Sequence, residues 1–337
     1  MSAQKGSPVG RRVLVTGGAG FIGSHLVERL LKEGREVVVL DDLSNGREEN
    51  LAPHKGRALT FHRVDASDFA AIRPFFDGVS WVFHLAALAD IVPSIVDPLK
   101  YHRANVDITV AVLEAARAVK ALRFVYASSS SCYGLAKEVP TPETASISPM
   151  YPYALSKYLG EQCVLHWARV YKMNALALRL FNVYGPRSRT TGAYGAVFGV
   201  FLAQKLAGKP FTIVGDGEQT RDFTYVTDVV AAFIAAAESD VSGTVFNVGS
   251  GGTYSVNELV RLLGGGKVTR LPKRPGEPDC TFADIRRIEA DLGWEPKVSF
   301  ASGVAHVLEH IELWRGAPVW DAASISKATR EWFQHLG

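Results

Sequence analysis

The sequence predicts an α/β fold, a doubly wound parallel sheet with a smaller α/β lobe beside it. Three observations carry this. Short apolar, β-branched runs alternate with segments of helical period from about Arg11 to Leu180. A glycine-rich turn joins the first run to the first helix. No low-complexity linker divides the 337 residues, and a hydrophobic content of 47% suffices for a large core. The expected organisation is a first lobe over residues 1–182, to which 226–248 return, and a second built from 183–225 and 249–337.

The first strand is Arg12–Thr16. Gly17-Gly18-Ala19-Gly20-Phe21-Ile22-Gly23 follows at once, and a helix runs from Ser24 to Glu33 and stops at Gly34. Glu36–Leu40 is a second strand, ending in Asp41-Asp42. Strand, glycine loop, helix, strand and acid in that order describe a dinucleotide site. Gly17, Gly20 and Gly23 permit a tight turn and close approach to a pyrophosphate, with Phe21 and Ile22 at the helix N-terminus that faces it. Asp41 would accept hydrogen bonds from ribose hydroxyls and repel a 2′-phosphate, which favours NAD over NADP. Asp42, Ser44 and Asn45 are assigned to the same cofactor.

The three-and-three glycine spacing resembles the short-chain dehydrogenase/reductase superfamily. Further segments agree: Val64-Asp65-Ala66 after a strand, Trp81–Ala87 as a fourth strand ending in small residues, and Phe124–Ala127 leading into Ser128–Ser131. Leu176–Leu180 then precedes Phe181-Asn182-Val183-Tyr184-Gly185-Pro186, and Arg221–Val229 comes later. Together they are similar to the extended branch, the NAD-dependent epimerase/dehydratase family, from about Arg11 to about Trp314. Within it the resemblance is greatest to 4-epimerases of UDP-glucose and UDP-N-acetylglucosamine. It implies a Rossmann lobe, Asp65 and Ala66 at the adenine, and Leu85, Ala86 and Ala87 beside the nicotinamide ribose.

Two Tyr-x-x-x-Lys pairs occur. Tyr133…Lys137 contains Gly134 and precedes Pro140 and Pro142, so it lies in a loop where a spacing of four aligns nothing. Tyr153…Lys157 follows Tyr151-Pro152, and a helix is expected from Pro152 to about Tyr171. Residues four apart share a helix face. Lys157 would therefore lower the pKa of Tyr153 and reach the nicotinamide ribose.

The resemblance places the family's catalytic hydroxyl on Ser129 and groups Asn105, near the start of a helix to about Lys120, with the catalytic set. Ser130 and Ser131 occupy positions where 4,6-dehydratases carry Asp and Glu, and where UDP-glucuronate decarboxylases carry Glu at the second. Hydroxyls cannot do that proton work near neutrality. Serines point to a 4-epimerase, in which Tyr153 takes the proton of the sugar 4-hydroxyl. The sugar becomes a 4-ketone, turns in the pocket and is reduced on its other face.

The resemblance also implies that Asn182, Arg221 and Arg274 bind the substrate diphosphate, a good match for a guanidinium fork. Glu277 falls where the family holds the nucleotide ribose, and Asp284 is a weaker candidate beside it. Thr281 falls at the pocket gate, where a small residue leaves room for a 2-substituent. The remaining features bound the function. A net charge of +3 argues for neither nucleic acid nor membrane surface. Met1–Gly10 lacks an apolar signal region, and Val229–Ala237 is too short to span a bilayer. Cys132, Cys163 and Cys280 are scattered and lack metal spacing, and His84 is expected to be a packing residue. The cytoplasm is the expected location, and no metal is expected. Ser255-x-x-Glu258 reads as a capping box, Gly264-Gly265-Gly266 as a helix stop, and Trp320–Leu336 as one extra amphipathic helix. The resemblance implies a homodimer formed by a four-helix interface from Arg103–Lys120 and Pro152–Tyr171. Within the enzyme class the runner-up is an NDP-sugar 4,6-dehydratase or UDP-glucuronate decarboxylase, and the alternative from another class is a non-catalytic NAD-binding regulator on the same fold.

Overall fold

The computed structural model describes residues 11–188 and 196–337, so the expectation for Met1–Gly10 lies outside the described residues. An apolar β-branched run buried on both faces must satisfy its backbone by pairing with neighbours. The chain begins β1 (Arg12–Thr16), α1 (Phe21–Lys32), β2 (Glu36–Asp41), β3 (Leu59–Arg63), α2 (Phe69–Ile72) and β4 (Trp81–His84). It continues α3 (Ile91–Val96), α4 (Pro98–His102), α5 (Ile108–Ala118), β5 (Arg123–Ser129), α6 (Pro152–Tyr171) and β6 (Ala175–Leu180). Next come β7 (Asn182–Tyr184), α7 (Val197–Leu206), β8 (Phe211–Val214), β9 (Thr220–Arg221), β10 (Phe223–Tyr225), α8 (Val226–Glu238) and β11 (Val245–Val248). The remainder is β12 (Tyr254–Ser255), α9 (Val256–Leu262), β13 (Val268–Leu271), α10 (Arg286–Leu292), α11 (Phe300–Glu309), α12 (Ala322–Ala328) and α13 (Arg330–Leu336).

Seven strands form one parallel sheet in the order β11-β6-β5-β4-β1-β2-β3. The winding order of the strands reverses between β1 and β4, the switch point where such sheets open a crevice at the strand C-termini. One face packs against α1 and α8, the other against α5 and α6. A third apolar cluster joins α7, α9 and α11 around Tyr184, Phe223 and Phe300. The expected doubly wound sheet is therefore present, and β11 extends it beyond β6.

Several boundaries differ from expectation for identifiable reasons. The fourth strand stops at His84 rather than Ala87. Beyond it, the Leu85 N–H still reaches the Thr16 carbonyl, but the Thr16 hydroxyl also accepts from the backbone N–H of both Leu85 and Ala86, at 3.2 Å each. His84 is a packing residue, wholly buried between the hydroxyls of Thr16 and Thr109, and burial pushes its pKa down to about 3. The helix carrying Asn105 begins earlier, at Pro98, because Asp97 caps it through the Lys100 N–H. A π-turn over Arg103–Asp107 joins α4 to α5. Ser255 caps α9 through the Glu258 N–H, but the Glu258 carboxylate pairs with Arg261, so only half of the expected capping box forms. The N–H groups of Gly264 and Gly265 close the end of α9 on Arg261 and Val260. The tail is two helices rather than one. Asp321 and Ser324 form a capping box at α12, and the chain turns at buried Thr329 before α13.

Helix α6 approaches the sheet unusually closely. A Cβ on Gly160 would strike the Tyr126 hydroxyl and lie 3.2 Å from the Asn105 carbonyl oxygen. Alanine gains about 1 kcal/mol of helix propensity over glycine, whereas overpacking a rigid core costs roughly 1–3 kcal/mol. Gly160→Ala is expected to lower the unfolding free energy, read as an earlier urea midpoint at unchanged slope. A later midpoint would show that Tyr126 yields freely.

Candidate active site

A cavity of about 1340 Å³ opens at the C-terminal ends of β1, β4 and β5 and continues beneath β7 and the loop at Arg274–Pro278. Three hydroxyl-bearing residues meet on its wall. Tyr153 stands on the first turn of α6, which starts where Pro152 follows extended Tyr151. Ser129 ends β5, and its Oγ contacts the Ser131 Oγ and accepts from the Ser131 N–H at 3.2 Å. Both serine hydroxyls face the Tyr153 phenol and favour its ionised form. Ser130 also lines the cavity.

Lys157 lies one turn along α6, 4% exposed, with its Nζ 4.2 Å from the centre of the Tyr126 ring. The expected lowering of the Tyr153 pKa by Lys157 is not what this arrangement produces. Burial dominates both groups and penalises whichever form is charged. It raises the Tyr153 phenol, against the two serine hydroxyls, and lowers Lys157 to about 7, against the pull of Glu161. Asp90, another cavity residue, raises the phenol further.

Asn105 does not face the cavity. Its amide accepts from the Leu88 N–H at 2.8 Å and donates to the Leu88 carbonyl at 3.0 Å and the Ser156 Oγ at 2.8 Å. With its polar atoms spent, the Asn105 amide positions the Leu88 segment against α6. Ser128 likewise turns away, donating to Glu161 at 2.7 Å. Glu161 forms a buried pair with Arg179, through two hydrogen bonds of 2.7 and 2.9 Å. Tyr133 donates to Asn247 and accepts from Arg179, a structural place consistent with its loop setting. Burial raises the Cys132 thiol to about 12, so it stays protonated.

At the other end of the crevice, Gly17, Gly20, Phe21, Ile22, Gly23, Asp41, Asp42, Ser44 and Asn45 all line the cavity. Asp65 and Ala66 lie beyond β3, and Leu85, Ala86 and Ala87 follow β4 along the same wall. A Cβ on Gly17 would lie 2.7 Å from the Ala86 nitrogen, and one on Gly23 would strike the Gly17 carbonyl oxygen. The N-terminus of α1 has no side-chain cap and no acid in its first turn. Asp41 accepts from the N–H groups of Ala19 at 3.0 Å and Leu43 at 2.9 Å, and burial raises its carboxyl. Asn50, unremarked in the sequence, pins the loop by donating to the Ala19 carbonyl.

Beneath the second lobe, Arg221 donates to Glu277 at 2.9 Å and Arg274 lies 3.7 Å from the same carboxylate. Thr281 donates to Asn182 at 2.9 Å, and all five residues line the cavity. Asp284 does not join them but pairs with Arg286. Tyr151 and Trp332 were not foreseen. Tyr151 stacks on Tyr153 with ring centres 6.3 Å apart, and Trp332 reaches the cavity from α13. Tyr151 had a signal in its proximity to Pro152, whereas Trp332 had none.

The sequence matches the NAD dependent epimerase/dehydratase family over residues 13–249. The chain belongs to that family. It is 38% identical over 313 residues to the UDP-glucose 4-epimerase of Mycolicibacterium smegmatis, covering 88% of this chain and 97% of that one. The solved UDP-glucose 4-epimerase of Thermotoga maritima with UDP-glucose superposes with a TM-score of 0.84 at 36% identity, covering 89% of this chain and 98% of that one. UDP-glucuronic acid decarboxylase 1 of Arabidopsis thaliana is 33% identical over 88% of this chain and 69% of its own length. The family cofactor is NAD, and the residues present fit it. The glycine loop leaves room for a pyrophosphate, α1 offers it uncapped N–H groups, and Asp41 faces the ribose end of the same crevice.

The low pKa of Lys157 has a consequence for stability. Its folded value of about 7 lies below its ordinary 10.5, so the unfolded chain holds more protons between those limits. Stability should therefore rise with pH across that window. With nucleotide stripped, the unfolding free energy of the wild type relative to Lys157→Met is expected to climb from pH 7 to about 10. A difference that stays flat would mean that Lys157 is not desolvated.

Proposed function

We propose that the protein is an NAD-dependent nucleotide-sugar epimerase that inverts C4 of a UDP-linked hexose through a transient 4-keto sugar. The observation that carries this reading is the meeting of Tyr153, Ser129 and Ser131 on the cavity wall, with Lys157 one turn behind. When bound, NAD supplies a ring that accepts and returns a hydride, and its positive charge favours the phenolate.

Tyr153 removes the 4-hydroxyl proton as the sugar is oxidised and returns it after the ketone has presented its other face. Ser129 holds the reacting oxygen, and Ser131 steadies Ser129 through their shared hydrogen bond. The desolvated Lys157, one turn behind, reaches toward the nicotinamide ribose. Arg221 and Arg274 grip the diphosphate, and Glu277, now between them, turns to the nucleotide ribose. Asn182, which accepts from Thr281, joins the arginines at the diphosphate, and Thr281 bounds the sugar. The names of the relatives support a UDP-linked hexose. Serines at 130 and 131 disfavour dehydration and decarboxylation, which need a carboxyl group there.

The cytoplasm is the proposed location. Cys132, Cys163 and Cys280 are all free, which supports a reducing compartment. No helix of the described residues is long and apolar enough to cross a membrane. A homodimer through the outer faces of α5 and α6 is proposed because α6 exposes Leu155, Val170 and Tyr171.

Incubation with UDP- and dTDP-sugars, without added NAD, tests the reaction. NMR is expected to show C4 inversion with no change in mass. Tyr153→Phe should slow it by about 10²–10⁴-fold. Loss of water or carbon dioxide would reassign the chemistry, and full activity of the variant would remove Tyr153 from it. The same preparation should sediment at twice the chain mass; a monomer would refute the interface.

A further inference from the structure

The tail closes one wall of the cavity. After Ala317 and Pro318, Trp320 lines the cavity, and its carbonyl accepts from the buried Gln204 amide of α7 at 2.7 Å. Helices α12 and α13 then cross to the opposite side. There α13 packs on α3, which belongs to the large sheet's side of the crevice. Trp332 on α13 donates its indole N–H to the Pro275 carbonyl at 2.7 Å, in the loop that carries Arg274 and Glu277. The tail is thus tied to both walls, with Trp332 at the crossing.

Trp332 is 5% exposed, yet it lines the cavity. Its ring centre lies 6.1 Å from that of Tyr151, which stacks on Tyr153. The Arg274 guanidinium sits over the indole, 5.6 Å from its ring centre. Trp332 therefore stands between the group assigned to the diphosphate and the phenol assigned to the reaction. The span between those two chemistries is where a hexose must lie. A pyranose ring has a C–H face that packs on an aromatic surface, and an indole gives a large, rigid surface with its N–H already satisfied.

We propose that Trp332 positions the substrate: its indole face forms the wall against which the hexose ring packs. The proposal rests on the nucleotide-sugar reading above and adds a residue and a segment to it. Holding the hexose there keeps its C4 near Tyr153 while the diphosphate stays on the arginines. It also explains why the tail folds back over the cavity instead of away from it.

Titration of UDP and of UDP-glucose into the protein separates the possibilities, with thermal denaturation run on every variant. Trp332→Ala is expected to weaken UDP-glucose about tenfold or more while UDP stays within about twofold. Trp332→Phe, which keeps a ring face, should retain most of the affinity. Trp332→Leu fills the space without a ring face and should resemble the alanine variant if alanine fails to fold. Equal weakening of UDP and UDP-glucose would mean that Trp332 merely braces Arg274, and the proposal falls. Unchanged binding of both ligands also overturns it. If the wild type binds neither UDP nor UDP-glucose, the nucleotide-sugar reading fails first and takes this one with it.

Discussion

Helix α6 presents two polar side chains in a largely dry place, and it does so because its inner face rests directly on β5. Gly160 lets the helix backbone meet Tyr126, where any side chain would hold the two apart. Around that contact several buried polar groups are matched. Ser156 accepts from Asn105, Glu161 takes Arg179 and Ser128, and the Tyr126 hydroxyl donates to the Lys157 carbonyl. A buried ion pair contributes little net stability, since desolvation offsets the attraction, but breaking it is costly. The Glu161–Arg179 pair thus acts chiefly to fix where α6 sits. A helix displaced by 1 Å would take the phenol out of reach of the serine hydroxyls.

The electrostatics follow from the same close seating. Removing water raises the phenol and lowers the ammonium, so both groups favour their neutral forms. A phenol and an ammonium so poised have a simple use in a proton-transfer site. Any charge brought in by a ligand acts through a low dielectric and moves both equilibria strongly. The hydroxyls of Ser129 and Ser131 give the proton a short path without adding a fixed charge. On this account the protein holds the acid–base group poised, and substrate and cofactor complete its activation.

Much of this was legible from local pattern. The glycine loop, Asp41 and the Tyr153–Lys157 pair each depend on residues close in sequence, where spacing alone sets direction. Asn182, Arg221, Arg274 and Glu277 were found through family resemblance, and the cavity gathers them. What escaped was set by distant contacts. Asn105 has the right place in the chain, but its amide is claimed by Leu88 and Ser156, which no spacing reveals. The pKa of Tyr153 depends on how much protein surrounds it, and a helical repeat says nothing about that. The tail looked like a single helix because its hydrophobic period continues through Thr329. The break and the return of Trp332 to the cavity depend on Pro275, far away in sequence.

The central claim is that the reacting hydrogen at C4 leaves and returns as a hydride within one closed site, with Tyr153 handling only the oxygen-bound proton. UDP-glucose carrying deuterium at C4, converted in ordinary water and followed by NMR, tests this most directly. The account predicts that the epimerised product keeps its deuterium at C4 through many turnovers. Washout of the label into solvent, or its appearance at C6, would contradict it.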